Sequence, residues 1–315
     1  MTVRVLVTGA AGFIGSRLAA RLLADGHDVV GLDALRPYYD VAQKRRNLAR
    51  LDSNDRFRFE AADLTTDDLK PHLRDVEVVF HEAAQPGVRR SWDEFSIYLH
   101  DNVEATQRLL TACVDSPSLR RLVYASSSSV YGNAAVLPVT EQTLPVPLSP
   151  YGVTKLAAEH LATLYAQNFG VPTVSLRYFT VYGPGQRPDM AIHRMIRAGL
   201  LEEPFPLFGD GSQVRDFTYV DDVVAANVVA ATAALQPGMA LNVSGGGAVT
   251  VTDLLALVGE AVGRAVPVSR QPEQAGDVTT TSGSTAQIMS LTGWMPRVRL
   301  TDGLNEQVEW QRRMY

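Results

Sequence analysis

Short runs of apolar, often β-branched residues alternate with stretches of helical periodicity along the first 180 residues of the chain. The apolar runs predict strands at residues 4–8, 28–32, 76–81, 122–126 and 172–179, and the helical stretches lie at 13–24, 102–113 and 151–169. Strands that are separated by helices in this way usually pair in parallel. The pattern therefore predicts an α/β fold with a Rossmann-type, doubly wound parallel sheet.

The alternation becomes less regular near residue 180, where Pro and Gly become frequent. Beyond this point the pattern predicts an extended segment at 217–220 and helices at 191–200, 221–234 and 252–262. We therefore expect a Rossmann domain at residues 1–180 and a smaller, mostly helical C-terminal lobe at residues 181–315.

Composition limits the class of protein. The chain carries 29 Lys and Arg against 34 Asp and Glu, a formal net charge of −5, so we expect no basic face for nucleic acid or for an anionic membrane. No apolar stretch approaches the ~18 residues of a membrane span, and the N-terminus lacks a signal-peptide pattern. The lone cysteine, Cys113, lies in a helical run and is expected to be buried. These features predict a soluble, cytoplasmic protein.

A glycine-rich turn follows the first predicted strand. Gly9, Gly12 and Gly15 are spaced three residues apart, with Phe13 and Ile14 at the start of the following helix. Glycine at such positions permits a tight turn, close approach of the backbone to a pyrophosphate and close packing of helix on strand, while the helix N-terminus offers unpaired N–H groups. The turn predicts a dinucleotide site.

An acid stands at the end of the second predicted strand. Asp33 lies 18 residues after the last glycine of the turn, close to the spacing of about 20 expected for a carboxylate that binds the adenosine ribose. Such a carboxylate would repel a 2′-phosphate, so NAD is expected rather than NADP, although the basic Arg36 nearby would favour NADP. Asp63 and Leu64 are candidates for an adenine contact, and a helix N-cap is the alternative role of Asp63.

A tyrosine and a lysine lie on one face of a predicted helix, because Tyr151 and Lys155 are four residues apart. The phenol has an unperturbed pKa of ~10, and a neighbouring cation favours the phenolate that a base near neutral pH requires. Residues 126–129 are four consecutive serines at the end of a strand, where doubly wound folds bind their ligands. One of these hydroxyls is expected to share a proton with Tyr151 and the substrate.

Taken in this order, the glycine turn, Asp33, the serines and the Tyr-x-x-x-Lys motif resemble the extended short-chain dehydrogenase/reductase family over essentially the full chain, and specifically its NAD-dependent nucleotide-sugar epimerases and dehydratases. The resemblance implies NAD as cofactor, a UDP-sugar as substrate, no metal, and a homodimer. It implies Ser127, Tyr151 and Lys155 as catalytic residues, with Ser128 as the alternative serine. It also places Ala83, Ala84 and Tyr178 along the cofactor, with Tyr178 near the nicotinamide.

The same resemblance implies a set of substrate-binding residues. Arg215 resembles the arginine that binds the UDP pyrophosphate, and a guanidinium fork suits that role. The full implied set is Gln85, Ser127, Ser128, Thr180, Arg187, Arg215 and Asp277.

Residues next to the catalytic motifs limit which reaction of the family is expected. Dehydratases of the family carry an Asp-Glu pair where this chain has serines, and decarboxylases often carry a glutamate where it has Ser129. Residues 177–191 resemble the UDP-glucuronate 4-epimerases, and the Thr180 hydroxyl and the Arg187 guanidinium are expected to hold the sugar carboxylate. We therefore expect 4-epimerisation of UDP-glucuronate to UDP-galacturonate. The alternatives are UDP-glucose/UDP-galactose 4-epimerisation, then UDP-glucuronate decarboxylation, and, in another class, a catalytically inactive NAD-sensing protein.

Overall fold

A computed structural model describes residues 2–272 and 278–315 of the protein. In chain order its strands are β1 (Arg4–Thr8), β2 (Asp28–Asp33), β3 (Phe57–Ala61), β4 (Val78–His81), β5 (Arg121–Ser127), β6 (Thr173–Tyr178), β7 (Thr180–Tyr182), β8 (Phe205–Phe208), β9 (Val214–Tyr219), β10 (Met239–Val243), β11 (Ala248–Thr250) and β12 (Val268–Gln271). The strands predicted from apolar runs are confirmed, with ends that shift by a few residues.

Helices connect most of these strands. They are α1 (Phe13–Ala24), α2 (Val41–Ala49), α3 (Phe95–Tyr98), α4 (Ala105–Val114), α5 (Pro150–Phe169), α6 (Ala191–Leu201), α7 (Val220–Thr232), α8 (Val251–Val262), α9 (Ala286–Thr292) and α10 (Leu300–Arg312). A π-helical stretch at Leu99–Glu104 joins α3 to α4, and short 3-10 turns lie at Lys70–Leu73 and Ser128–Val130. Within the described ranges, no helix is long and apolar enough to cross a membrane.

The large sheet has seven parallel strands in the order β10-β6-β5-β4-β1-β2-β3. The chain moves outward from β1 through β2 to β3 and then returns to the other side of β1 with β4. This reversal leaves a crevice outside the carboxyl ends of β1 and β4, which is the usual ligand position in open α/β sheets. The predicted doubly wound fold is confirmed.

Helices bury both faces of this sheet. Val5 and Val7 belong to one core cluster and Leu6 to the other, because successive side chains of a strand point to opposite faces. All seven residues of β5 are buried, as a central strand covered on both sides requires. Cys113 is buried in the second cluster, as predicted, and burial raises its thiol pKa to about 12.

The division expected near residue 180 does not follow a single cut in the chain. α7 packs against α1 and the large sheet, and β10 pairs with β6 at the sheet edge, so residues 220–243 return to the Rossmann part. The smaller lobe contains α6 and α8, which the helical pattern predicted, and α9 and α10, which it did not. It also contains a sheet of β11, β9 and β7 and a pair of β12 and β8. Most of these short strands were not predicted, because strands of three or four residues carry too few alternating positions to be recognised.

Candidate active site

A deep cleft opens at the carboxyl ends of the central strands, at the crevice between β1 and β4. The sequence-predicted residues that line it are Gly9, Gly12, Phe13, Ile14, Gly15, Asp33, Asp63, Leu64, Ala83, Ala84, Gln85, Tyr151, Lys155, Tyr178 and Arg187. The cleft therefore brings together residues that are separated by up to 178 positions in the chain.

The glycine turn has a physical requirement at each glycine. Gly9 has a φ of +70°, and a Cβ there would lie 2.8 Å from the backbone nitrogen of Ala83. A Cβ at Gly15 would collide with the Gly9 carbonyl oxygen, and one at Gly12 would lie 3.0 Å from the same oxygen. Gly12 precedes α1 without a side-chain cap, so the first N–H groups of the helix remain available at the cleft. The turn fits a pyrophosphate held by backbone N–H groups.

Asp33 supports the glycine turn and is itself paired with a cation. Its carboxylate accepts hydrogen bonds from the backbone N–H groups of Ala11 at 3.2 Å and Leu35 at 2.7 Å. The Nζ of Lys44 lies 3.2 Å from Asp33 Oδ1. Lys44 also lines the cleft. The sequence prediction missed Lys44, because nothing in its position on α2 shows that this helix passes Asp33.

Asp63 begins a turn as well as lining the cleft. Its Oδ1 accepts from the backbone N–H of Thr65 at 2.9 Å and from the Thr65 hydroxyl at 2.7 Å, and its Oδ2 accepts from Arg36 at 2.8 Å. Burial would raise the pKa of Asp63, but these hydrogen bonds and the Arg36 charge lower it. Arg36 also pairs with Asp101 at 3.2 Å, so two carboxylates hold the guanidinium that was considered for a 2′-phosphate.

The Tyr-x-x-x-Lys motif occupies the first turns of α5. Ser149 caps this helix by accepting from the N–H of Gly152 at 3.1 Å, which fixes Tyr151 at the cleft end. Lys155 is 3% exposed, and its Nζ donates to the Ala125 carbonyl at 2.6 Å. Burial lowers the pKa of Lys155 to about 8. The ammonium is thus fixed on the same side of the helix as Tyr151.

The Ser127 hydroxyl lies close enough to Tyr151 to lower the pKa of its phenol. Burial raises the pKa of the Tyr151 phenol, while the Ser127 hydrogen bond and the positive charge of Arg187 act in the opposite direction. Ser127 Oγ also accepts from the backbone N–H of Ser129 at 3.1 Å, which leaves its own hydroxyl proton for Tyr151 or a ligand. This pair can transfer a proton to and from a bound hydroxyl group.

A buried ion pair stabilises the carboxyl end of β5. The Arg177 guanidinium donates to the Glu159 carboxylate through Nε and Nη2, with distances of 2.5–3.2 Å. Ser126 donates to Glu159 at 2.6 Å, and Arg177 donates to the Tyr131 hydroxyl at 2.7 Å. These hydrogen bonds fix Ser126, the serine that precedes Ser127. The sequence prediction did not identify the network, because its four residues lie in β5, in α5, in β6 and directly after the 3-10 turn.

Tyr178 reaches the cleft beside a carboxyl group that the sequence prediction also missed. The Tyr178 hydroxyl donates to Glu82 Oε1 at 2.7 Å and accepts from Asn227 Nδ2 at 2.7 Å. Burial raises the pKa of Glu82 to about 7. The available signal was an acidic residue in the otherwise apolar and small stretch that ends β4 and continues to Ala84.

Arg187 is the predicted carboxylate ligand that the structure places in the cleft. Its guanidinium is paired with Asp189 by two hydrogen bonds of 3.0 Å and lies over the ring of Tyr38 at 5.8 Å. Gln85 is also at the cleft, where its backbone N–H and carbonyl are bound by the Asn102 side chain. The sequence prediction did not include this pairing of Arg187 with Asp189, two residues along the chain.

Other predicted substrate residues lie away from this part of the cleft. Thr180 begins β7 opposite Phe217, and Ser128 starts the 3-10 turn after β5; neither is among the described residues of the cleft wall. Arg215 lies on β9, where its Nη1 donates to the Val214 carbonyl at 2.9 Å and the Thr279 carbonyl at 3.3 Å. Asp277 lies outside the described residues. The substrate roles of these four residues therefore stay predictions.

Similarity to known proteins agrees with this site. A structure of UDP-glucuronic acid 4-epimerase from Bacillus cereus, in complex with UDP-glucuronic acid and NAD, superposes with a TM-score of 0.96 at 40% identity, covering 99% of this chain and 100% of that chain. A Bacillus subtilis protein described as an uncharacterised UDP-glucose epimerase is 42% identical over 99% of both chains. A probable UDP-glucuronate 4-epimerase from Rhizobium meliloti is 37% identical over 99% of this chain and 98% of its own length.

The sequence profile of the NAD dependent epimerase/dehydratase family matches residues 5–244. The matched region runs from β1 through β10 and so includes the whole large sheet, the glycine turn and the Tyr-x-x-x-Lys motif. The resemblance to extended short-chain dehydrogenases that the motifs suggested is thereby confirmed. The chain belongs to the NAD dependent epimerase/dehydratase family.

Proposed function

We propose that this protein is an isomerase that inverts C4 of a UDP-sugar with NAD as a resident cofactor, and that UDP-glucuronate and UDP-galacturonate are its substrate pair. One observation carries the proposal. Tyr151 lies beside Ser127, close enough for the serine to lower the pKa of its phenol, and one helical turn from the buried Lys155, in the same cleft as a glycine turn of dinucleotide-binding geometry. Similarity to UDP-glucuronate 4-epimerases over nearly the full chain supports the choice of sugar.

The residues of the cleft fit NAD. The turn from Gly9 to Gly15 would hold the pyrophosphate, Asp33 the adenosine ribose, Asp63 and Leu64 the adenine, and Lys155 the nicotinamide ribose. When bound, NAD supplies a hydride acceptor for C4 that later returns the same hydride, so no net oxidation occurs. Because the backbone of Ala83 lies so close to Gly9, there is no room for a side chain at position 9. The dinucleotide would pass beside this position.

The protein supplies the proton transfer. Tyr151 takes the proton of the 4-hydroxyl group as hydride leaves C4, and it returns a proton when hydride comes back to the opposite face. Ser127, which lowers the pKa of the Tyr151 phenol, is placed to share that proton. Burial raises the pKa of Tyr151, so the base form depends on the Ser127 hydroxyl and on nearby positive charge, of which Arg187 is supplied by the chain.

A glucuronate substrate adds a requirement for control of its carboxylate. The 4-keto form of glucuronate is a β-keto acid, which loses carbon dioxide readily unless the carboxylate is held. Arg187 is the cation near Tyr151 that can do this, since a guanidinium binds a carboxylate through two parallel hydrogen bonds. Asp189 is hydrogen-bonded to that fork, so the substrate carboxylate would share or replace Asp189.

The pairing of Arg187 with Asp189 also supports a second candidate, the UDP-glucose/UDP-galactose pair. With Asp189 as partner, Arg187 presents no unsatisfied charge that demands a carboxylate. The 42% identical relative from Bacillus subtilis is described as a UDP-glucose epimerase. A neutral sugar therefore remains compatible with the site.

The test is a comparison of both sugar pairs with the purified protein and NAD, with products separated by chromatography. We expect UDP-glucuronate to be converted to UDP-galacturonate with a kcat/KM well above that for UDP-glucose. The matched control is Tyr151→Phe, which keeps the ring but removes the proton acceptor. Conversion of UDP-glucose alone would establish the second candidate, and no conversion of either sugar would refute epimerisation.

We also propose that the active form is a homodimer, as in the family that the sequence resembles. Large apolar side chains stay exposed along α3 and α5, including Phe95 at 43%, Leu164 at 50% and Phe169 at 59%. A patch of this kind is typical of an interface. Light scattering after gel filtration is expected to give twice the 34.3 kDa chain mass, and a single chain mass would contradict the proposal.

A further inference from the structure

Glu82 is an acidic residue of the cleft that takes no part in the proposed proton transfer. It directly follows β4 and lines the cleft together with Tyr151, Lys155 and Tyr178. The other described acids of the cleft wall are Asp33, Asp63 and Asp101, and each of them pairs with Lys44 or Arg36. Glu82 is thus the acid that the described cleft wall presents at the catalytic end.

The hydrogen bonds around Glu82 are arranged for an accepting carboxylate. Asn227 Nδ2 donates to the Tyr178 hydroxyl oxygen at 2.7 Å. The Tyr178 proton has two acceptors, Glu82 Oε1 at 2.7 Å and Asn227 Oδ1 at 3.0 Å, of which Glu82 is the nearer. Burial and the Glu82 charge raise the pKa of Tyr178 well above its usual value, so this hydroxyl keeps its proton. Burial raises the pKa of Glu82 to about 7, while Tyr178 and the Lys155 cation favour its ionised form.

The reacting ring of the cofactor must lie at the same end of the cleft. The proton leaves the oxygen on C4, and the hydride leaves C4 itself. The Tyr151 phenol and the hydride acceptor must therefore both lie next to C4 of the sugar. Asp33, which marks the adenosine end, lies on β2, two strands away from β4 in the sheet. The nicotinamide end is therefore the part of the dinucleotide that comes nearest to Glu82.

We propose that the Glu82 carboxylate sets the redox preference of the bound cofactor, by stabilising oxidised NAD relative to NADH. The oxidised ring carries a positive charge and the reduced ring is neutral, so a nearby anion interacts more favourably with the oxidised form. Lys155 acts in the opposite direction, and Glu82 offsets it. An enzyme that begins every turnover with oxidised cofactor gains from this bias, because a reduced cofactor left behind after loss of the keto sugar blocks the site.

The test measures binding as well as activity, and it rests on the NAD site of the proposed function. Dissociation constants for NAD and for NADH are determined by calorimetry on cofactor-free protein, about one pH unit above the Glu82 pKa so that the carboxylate is ionised. Glu82→Gln keeps the shape and an acceptor for Tyr178 but removes the charge. Glu82→Leu is the second neutral variant, because an apolar side chain at the end of a buried strand is compatible with folding.

Two controls separate charge from structure. Glu77→Gln removes one negative charge at the opposite end of β4, where Glu77 pairs with Arg120 at 3.0 Å. Thermal unfolding of each cofactor-free variant reports any purely structural role.

We expect the ratio of NADH affinity to NAD affinity to rise about ten- to hundredfold in Glu82→Gln and Glu82→Leu, because the attraction between the Glu82 carboxylate and the positively charged oxidised ring is lost. Glu77→Gln should change the ratio less than about threefold, which is ~0.65 kcal/mol. During turnover, the two neutral Glu82 variants should also accumulate bound NADH, visible by its near-ultraviolet absorbance. An unchanged ratio in the neutral Glu82 variants would overturn the inference, and a parent protein that binds neither cofactor would instead refute the proposed function.

Discussion

Replacing Arg187 by alanine is expected to weaken turnover of UDP-glucuronate selectively. The Arg187 side chain is 18% exposed and lies close enough to Tyr151 to influence its pKa, so it is positioned to meet a group on the sugar that Tyr151 deprotonates. UDP-glucose lacks the carboxylate and has no charged group for Arg187 to bind. The substitution therefore distinguishes a carboxylate ligand from a general structural residue.

The pair with Asp189 sets the size of the effect. Breaking a fully buried ion pair costs ~3–5 kcal/mol, but here a substrate carboxylate exchanges with a partner that is 36% exposed rather than filling an empty fork. A hydrogen bond to a charged group, worth about 1.5–3 kcal/mol, is the closer comparison. At ~1.4 kcal/mol per tenfold change, kcat/KM for UDP-glucuronate should fall about 10- to 150-fold.

The assay measures kcat/KM for UDP-glucuronate and UDP-glucose in the parent protein, in Arg187→Ala and in Arg197→Ala. Arg197 is a matched control, because its pair with Glu203 lies on the surface and both side chains are 50% exposed. In Arg187→Ala the loosely held keto acid should also lose carbon dioxide more often, which raises the share of 4-keto-pentose among the products. Equal losses for both sugars, or no loss for either, would refute the assignment of Arg187 as the carboxylate ligand.

Three further predictions concern the proton acceptor, the cofactor and the supporting ion pair. Tyr151→Phe should bind NAD as tightly as the parent by calorimetry and lose ~10²-fold or more in turnover; near-normal turnover would remove Tyr151 from the mechanism. Asp33 should make NAD bind at least about tenfold more tightly than NADP, since a 2′-phosphate meets a like charge; because Lys44 lies 3.2 Å from Asp33, equal affinities would mean that this lysine cancels the repulsion. Glu159→Ala should lower the free energy of unfolding by about 3–5 kcal/mol in denaturant titrations, because it leaves Arg177 buried without its partner; removal of both side chains should cost less, and an additive loss would contradict this account.

Much of the fold and the central part of the site could be predicted because their signals are local. The glycine turn is a constraint on consecutive residues, and the Tyr-x-x-x-Lys spacing places two side chains on one helix face whatever surrounds the helix. The central strands β5 and β6 are buried on both faces and are rich in apolar residues, which made them recognisable, whereas β3 at the sheet edge is partly exposed and polar. These features needed no knowledge of the tertiary structure.

The partners of the site residues could not be predicted, because they depend on where distant elements meet. Lys44 reaches Asp33 only through the path of α2, and Glu82 meets Tyr178 across 96 positions of the chain. Arg187 was predicted as a ligand, but its existing pair with Asp189 depends on the conformation of the loop between β7 and α6. The return of β10 to the large sheet is likewise a matter of topology, since its apolar run resembles any other short strand.

The most direct test of the central claim is to incubate the purified protein with UDP-glucuronate that carries deuterium at C4, in the presence of NAD, and to identify the products by chromatography and mass spectrometry. The account predicts UDP-galacturonate that retains the deuterium at C4, with no net formation of NADH, because one cofactor takes and returns the same hydride in a closed site. Recovery of unchanged UDP-glucuronate, or formation of a UDP-pentose with release of carbon dioxide as the main product, would contradict it.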